Sequence, residues 1–566
     1  MDFRQFKYFP LDPEYVTNKI TAHQSYIKAV EDIKKQLGNL SDRLKNSVPF
    51  FSFRSQGHML WDTTIASNVG YIAALLYNQN NVASMASGVT LQLEREVASD
   101  LCKMVGYNVD RDHTDQNPKA WGHLPNGGSV ANIEAMWAAR CLKFNAISIK
   151  TLMEEEFARL GLSEVRDTFT FTNHAKETVV LAKASAWELL NMPIDVAIDL
   201  FDKLVNECKK KNKQINFDEL FGYVKKQTME EIGVFDFIEN IREFLLESQV
   251  TPTMGKWFIS GSRHYSWDKG ANILGLGRHN LELVSVDKFC RMNLEELREK
   301  LEKCLEQRTP VLGVTVVFGT TQEGAVDNLK SILKIREDME EKGMTFYIHV
   351  DGAWGGYFAS CLNDKSLNKV NKTSRRDRSR ETYGAKGRHD TVAFMETKLS
   401  PHFVSQLSCL NEANSVTLDP HKSGFCPYPA GGLLYRNGNI RHFLAQGAAY
   451  ISHGSGKNEE INLYGIDGSK PGAASAGVWL SHKVIGLHSE GYGLLLRQCT
   501  FSGDLRSIQA LCFDCLNNFS PSWDHVRPLV QPWTRQGPLY CCSLHPSVRW
   551  FSALDLIQDQ EGNSQR

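Results

Sequence analysis

Thr345-Phe-Tyr-Ile-His-Val-Asp351-Gly-Ala-Trp-Gly-Gly356 is an apolar run that ends on a carboxylate and passes at once into small residues. Such a run has the length and texture of a strand buried on both faces. Runs of the same kind recur on either side: Lys256-Trp-Phe-Ile-Ser260, Leu281 to Val286, Val311 to Val317, Ser415-Val-Thr-Leu418 and Gly432-Leu-Leu-Tyr435. Polar, glycine-containing or helical segments separate them, and this alternation predicts an α/β fold around a mostly parallel sheet. In open α/β sheets ligands gather beyond the carboxyl ends of the strands, so chemistry is expected in the residues that follow each run.

Asp351 stands at one such end, where a carboxylate could hold a ligand N–H⁺ and the glycines after it would let a flat ligand approach the backbone. An Asp that merely closes its own turn is the plainer alternative. Ser415 to Leu418 leads into Asp419-Pro-His421-Lys422. A lysine desolvated at a strand end can act as an imine-forming nucleophile, although most lysines are solvated. Gly127-Gly128-Ser129 opens a strongly helical stretch, and free amides at a helix N-terminus cradle phosphate. A simple capped helix would look the same. His264 follows the run that begins at Lys256, where its ring could lie over an aromatic ligand. An amine, an acid, a phosphate cradle and a flat imidazole together match pyridoxal 5′-phosphate.

The composition agrees with a soluble enzyme of small metabolites. The chain has 566 residues, with 42% hydrophobic and 23% charged residues, and Lys+Arg 64 against Asp+Glu 65 gives a net charge of −1. No global field favours nucleic acid or an anionic membrane, and no stretch has the length of a membrane span. The N-terminus lacks a secretory pattern, so a cytoplasmic location with reduced cysteines is expected. Walker, G-x-S-x-G and H-E-x-x-H motifs are absent, and Cys512-Phe-Asp-Cys515 has no second pair, so no metal site is expected. The chain divides into a helical segment 1–110, a cofactor-binding large domain 111–456, the start of a small domain 457–518, and a tail 519–566. A basic segment, 364–390, interrupts the large domain with nine Lys/Arg and four Asp/Glu and is expected to be a surface loop.

Gly127-Gly-Ser129, Ser262-Arg-His264-Tyr-Ser, Phe318-Gly-Thr-Thr321 with Gly324-Ala-Val-Asp327, His349-Val-Asp351-Gly-Ala353 and Asp419-Pro-His421-Lys422 occur in an order that resembles the group II pyridoxal-dependent decarboxylases. That resemblance implies the fold type I, aspartate-aminotransferase-like architecture with a seven-stranded sheet. Ser55-Gln-Gly-His58-Met-Leu-Trp61 and the stretch from Asp419 to Gly432 resemble tyrosine decarboxylases of the microbial type, except that Ser423 stands where methionine is usual. By resemblance, Lys422 forms the imine with the cofactor, Asp351 holds the pyridinium, His264 stacks on the ring and is an acid/base candidate, and Gly128, Ser129 and His421 anchor the phosphate. Thr321 and Ala353 touch the ring region, Tyr428 and Tyr450 serve catalysis, with Tyr450 protonating the quinonoid carbon, and His58, Trp61 and Tyr428 lie near the substrate.

The implied reaction is decarboxylation of an L-amino acid to its amine and CO2, with tyrosine as the expected substrate and a homodimer as the expected assembly. Glutamate or aspartate decarboxylation, and a catalytically impaired binding protein, stay open as alternatives. The last stretch is the reason. Phe519 to Arg566 carries five prolines, three tryptophans and two of the chain's thirteen cysteines without a clear αβ pattern, whereas the resemblance implies a longer small domain. The small domain is therefore expected to be incomplete or atypical.

Overall fold

The computed structural model describes residues 17–48, 50, 62–114, 117–212, 215, 217–363, 399–444 and 464–500. The basic segment 364–390 and the tail 519–566 lie outside them. Two compact units are distinguished, Met1–Ser55 and Gln56–Arg566. In the first, helix α1 (Gln24–Leu44) buries none of its residues and carries Ile33, Leu37, Leu40 and Leu44 exposed.

The second unit begins with α2 (Ile65–Leu75) and α3 (Val89–Met104). Strand β1 (Trp121–His123) follows, then α4 (Gly128–Glu156), a hairpin of β2 (Thr170–Thr172) and β3 (Thr178–Val180), and a series of helices from Ile194 to Glu247. Strands β4 (Lys256–Ser260), β5 (Leu281–Val284), β6 (Val311–Val317), β7 (Tyr347–Asp351), β8 (Ser415–Leu418) and β9 (Gly432–Tyr435) come next, with α5 (Ser266–Ile273) after β4. Helix α6 (Gly472–Ile485) is the last labelled element.

Seven strands form one sheet in the order β1-β9-β8-β7-β6-β4-β5. Only β9 runs against its neighbours; the pairs β8–β7, β7–β6, β6–β4 and β4–β5 are parallel. The expected fold, α/β with a mostly parallel seven-stranded sheet, is therefore observed. All seven residues of β6 are buried, which is why its run shows no polar alternation. Gly313 within it is required by packing, since a Cβ there would sit 2.9 Å from Cη2 of Trp257.

α4 crosses one face of the sheet. Small residues Ala131, Ala135, Ala138 and Ala139 are all buried, and they suit both a helix and a close approach to the strands. Its N-terminus points to the carboxyl ends of the parallel strands, where β7 delivers Asp351 and β8 leads to Lys422. The expected strand 345–350 is observed as Tyr347–Asp351, so Asp351 is itself the last ladder residue, paired with Val317 and Thr417. α2 lies on α6 through small residues: a Cβ on Gly70 would meet Ala476 O at 2.7 Å.

Candidate functional site

A cavity of about 380 Å³ opens at the carboxyl ends of β4, β6, β7 and β8. It is lined by Gly128, Ser129, His264, Thr321, Asp351, Ala353, His421, Lys422 and Tyr428, nine of the residues singled out from sequence. The remaining three, His58, Trp61 and Tyr450, lie outside the described residues.

Asp351 is 5% exposed. Its Oδ2 accepts from Asn132 Nδ2 at 2.8 Å and from Trp267 Nε1 at 2.9 Å, while Oδ1 has only a 3.4 Å contact from the Ala353 N–H. One oxygen is thus saturated by neutral donors, and the other keeps capacity for a cationic N–H. The Asn132 amide cannot flip, because a carboxylate only accepts. Its Oδ1 consequently faces Nε2 of His349 at 3.3 Å, and Nδ1 of His349 meets Ser415 Oγ at 2.7 Å. Burial pushes the His349 imidazole down to about 4, so a neutral ring fixes the amide that fixes the acid.

His264 is held by its own chain. Nδ1 accepts from the Ser266 N–H at 3.2 Å and lies 2.9 Å from Ser266 Oγ, which in turn accepts from Asn132 Nδ2 at 3.1 Å. That leaves Nε2 as the protonated nitrogen. Burial lowers the His264 pKa, the Asp351 charge opposing it. His421 is likewise neutral through burial, opposed by Asp419; its Nδ1 accepts from the Ala430 N–H at 3.1 Å. Tyr428 lies tilted over the His421 ring at 4.1 Å between centroids.

Lys422 Nζ lies 3.0 Å from Asp419 Oδ2, a carboxylate only 1% exposed. Burial depresses the lysine ammonium, but the charges of Asp419 and Asp351 more than offset this and leave its pKa raised. Ser423, the departure from the tyrosine-decarboxylase pattern, turns away from the cavity: its buried hydroxyl donates to the carbonyl of Trp354.

The glycines form a hollow that side chains would fill. A Cβ on Gly128 would stand 2.8 Å from Asp419 Oδ2 and 3.1 Å from Ala353 Cβ, and one on Gly431 would stand 2.7 Å from Gly127 Cα. Gly319, at φ +95, passes so close beneath the Trp354 indole that a Cβ would be 2.2 Å from it. The first N–H groups of α4, free of intrahelical partners by geometry, open onto this hollow beside Ser129. A hollow for an anion, a neutral imidazole, an amine and an acid with one open oxygen fit pyridoxal phosphate.

Asn132, Trp267 and Asp419 join the site without a local signal as plain as those of Asp351 and Lys422. Asn132 stands three residues beyond Ser129 and Trp267 three beyond His264, a helical spacing that could have placed each on the face of its flagged neighbour. Asp419 lay inside a quoted motif, but nothing local tells that its carboxylate turns inward.

Residues 243–372 match the family model described as the pyridoxal-dependent decarboxylase conserved domain. The L-tyrosine decarboxylase of Enterococcus faecalis is 31% identical over 494 residues, covering 86% of this chain and 68% of that protein. The L-tyrosine decarboxylase of Levilactobacillus brevis is 30% identical over 504 residues, covering 86% and 67%. Among solved structures, mouse CSAD in apo form aligns at a TM-score of 0.46 and 17% identity over 80% of this chain, which spans 63% of the mouse chain.

Proposed function

Since the chain belongs to the pyridoxal-dependent decarboxylases, we propose that it removes the α-carboxylate of an aromatic L-amino acid, L-tyrosine first, to give the amine and CO2. The juxtaposition of Lys422 and Asp351 in one cavity carries the reading. When bound, pyridoxal phosphate supplies an aldehyde for the amino group and a protonated ring that takes up the electron pair left as CO2 departs.

Lys422 supplies the amine that tethers the cofactor, and Asp419 holds that amine while it waits as an ammonium. Asp351 would keep the ring nitrogen protonated; Asn132 and Trp267 hold its Oδ2, which leaves Oδ1 with acceptor capacity for that N–H. Ser129, Gly128 and His421 would bind the phosphate. His264 would lie against the ring with Ala353 and Thr321 bordering it, and its Nε2 proton makes it a candidate acid beside Tyr450, to which protonation of the substrate carbon is assigned by resemblance. A low-dielectric site with these groups already oriented needs little rearrangement during the reaction.

Support for an aromatic side chain comes from the mouth of the cavity. Tyr265 and Tyr428 are 59% and 54% exposed there, and Lys422 is the only Lys or Arg among the described lining residues. Among the described residues a glutamate or aspartate side chain would thus meet aromatic rings and no second permanent cation. Incubating protein and cofactor with tyrosine, DOPA, phenylalanine, tryptophan, glutamate and aspartate while recording CO2 tests the assignment; release from glutamate alone overturns it.

A homodimer in the cytoplasm completes the proposal. Ile65, Val69, Ile72 and Leu76, at spacings of four, three and four residues, form a stripe along α2 that is between 54% and 82% exposed. A stripe of this kind, on the side of α2 turned away from α6, suits a second copy of the chain.

A further inference from the structure

Asp467 is not part of the cavity lining, yet its carboxylate takes both donors of a residue that is. Asn126, the residue before the glycine turn, donates its backbone N–H to Oδ2 at 2.8 Å and its side-chain amide to Oδ1 at 2.8 Å. Nearby, Lys470 pairs with Glu94, both almost wholly buried, and the pair holds the peptide of Leu124 on both sides. Glu94 Oε1 accepts the Leu124 N–H at 3.0 Å, and Lys470 Nζ donates to the Leu124 carbonyl at 3.0 Å. A third tie joins Glu134, whose Oε1 accepts the Ile466 N–H at 2.7 Å while Oε2 lies 2.7 Å from His123 Nε2.

Residues 464–470 thus form a strap fastened at three points to the stretch from His123 to Asn126, which leads into Gly127-Gly128-Ser129. On the other side, the Gly431 N–H donates to the Pro125 carbonyl at 2.8 Å, so the turn is held between two segments remote in sequence. Two features set Asp467 apart from an ordinary surface contact. Its two oxygens match two donors of one residue, as a bidentate clamp does, and that residue is itself in the cavity wall.

We propose that Asp467 and Lys470 are positioning residues for the phosphate end of the cofactor, fixing the pose of the 124–129 turn so that the amides of α4 and the Ser129 hydroxyl face the anion. The inference rests on the reading of that turn as the phosphate cradle. Pre-set donors bind without a cost of reordering, and a turn released from its clamps must be reordered at each binding event. Asp467 therefore governs how firmly the phosphate is kept.

Asp467 is half-buried, and its removal leaves donors that water can reach. Lys470→Met would instead strand the buried Glu94 charge and endanger folding. The decisive comparison accordingly uses D467A and D467N in the full chain. Each apo protein is titrated with pyridoxal 5′-phosphate and, separately, with pyridoxal, which has no phosphate, following tryptophan fluorescence and the visible absorbance of bound aldehyde. D467A is expected to raise the Kd for pyridoxal phosphate about tenfold, D467N to fall between it and wild type, and the Kd for pyridoxal to stay within about twofold. An unchanged Kd for pyridoxal phosphate, or equal weakening for both aldehydes, overturns the proposal. Wild-type protein that binds neither aldehyde overturns the cradle reading itself, before any variant is compared.

Discussion

Asp419 Oδ2 lies 3.0 Å from Lys422 Nζ, and both groups are turned into the same cavity. An ammonium held by a buried carboxylate gives up its proton less readily than a free one. Since only the neutral amine attacks an aldehyde, cofactor uptake by the apo protein should quicken as pH rises. In D419N the opposing charge is gone while the lysine stays buried, so the pH profile of uptake is expected to move to lower pH. Stopped-flow absorbance after mixing with pyridoxal phosphate measures this; a profile that does not move would show that Asp419 does not hold the proton.

Asp351 depends on donors from two helices. Asp351→Ala is expected to lower decarboxylation by at least about 100-fold, the scale on which loss of one preorganised charge partner acts in a buried site. Asn132→Leu leaves Asp351 in place with one donor fewer, and about a tenfold loss is expected, as for other orienting hydrogen bonds around a reactive group. Steady-state kcat of the two variants at saturating cofactor provides the check; equal losses would mean that Asn132 does more than orient.

Gly128→Ala places a methyl group 2.8 Å from Asp419 Oδ2. Overpacking of this order costs about 1–3 kcal/mol, and here it falls on the cradle. Retained cofactor, read from absorbance after gel filtration, is expected to drop, and the urea midpoint of the apo protein to fall in keeping with that cost. Full retention would argue that the hollow is not where the phosphate binds.

Acid should loosen the fold from beneath the site. His349 and His482 are buried and neutral, with pKa values pushed down by burial from 6.5 to about 4 and about 3. Their folded-state values are depressed, so their contribution is intact above pH 6.5 and is lost as pH falls below it, where only the unfolded chain takes up the protons. At pH 5 this amounts to about 2 kcal/mol for each ring. Asp327 acts in the opposite sense between 3.8 and about 6, because burial raises its carboxyl, and it offsets part of the loss. A lower urea midpoint at pH 5 than at pH 7.5 is expected, with a smaller difference in His349→Asn.

The stripe on α2 gives a separate test. Ile72→Glu puts a charge at its centre and should shift the assembly toward monomer in light scattering at micromolar concentration. A wild-type chain that is already monomeric would remove the support this stripe lends to a dimer.

Much of this was legible in the chain itself. β6 and β8 were read with their observed ends because continuous apolar runs bounded by turn residues leave little choice of register, and the positions after them led to Lys422. The cavity brings Ser129, His264, Asp351 and Lys422 together as the strand-end rule requires. β1 escaped notice: three residues, one of them glycine, carry no period, and its pairing with β9 is fixed by partners more than 300 residues away. The same applies to the groups that hold the site. Asn132 and Asp351 are 219 residues apart, and Asn126 and Asp467 are 341 apart, so their hydrogen bonds arise only once the sheet has brought the segments together.

Product analysis of the wild-type chain beside Lys422→Ala reaches the central claim most directly. With pyridoxal phosphate present, L-tyrosine labelled at its carboxyl carbon should yield labelled CO2 and tyramine in equal amounts from wild type. Lys422→Ala should release none above background and lack the visible absorbance of tethered cofactor. Labelled CO2 from Lys422→Ala at the wild-type rate, or none from wild type with any of the aromatic amino acids, would contradict it.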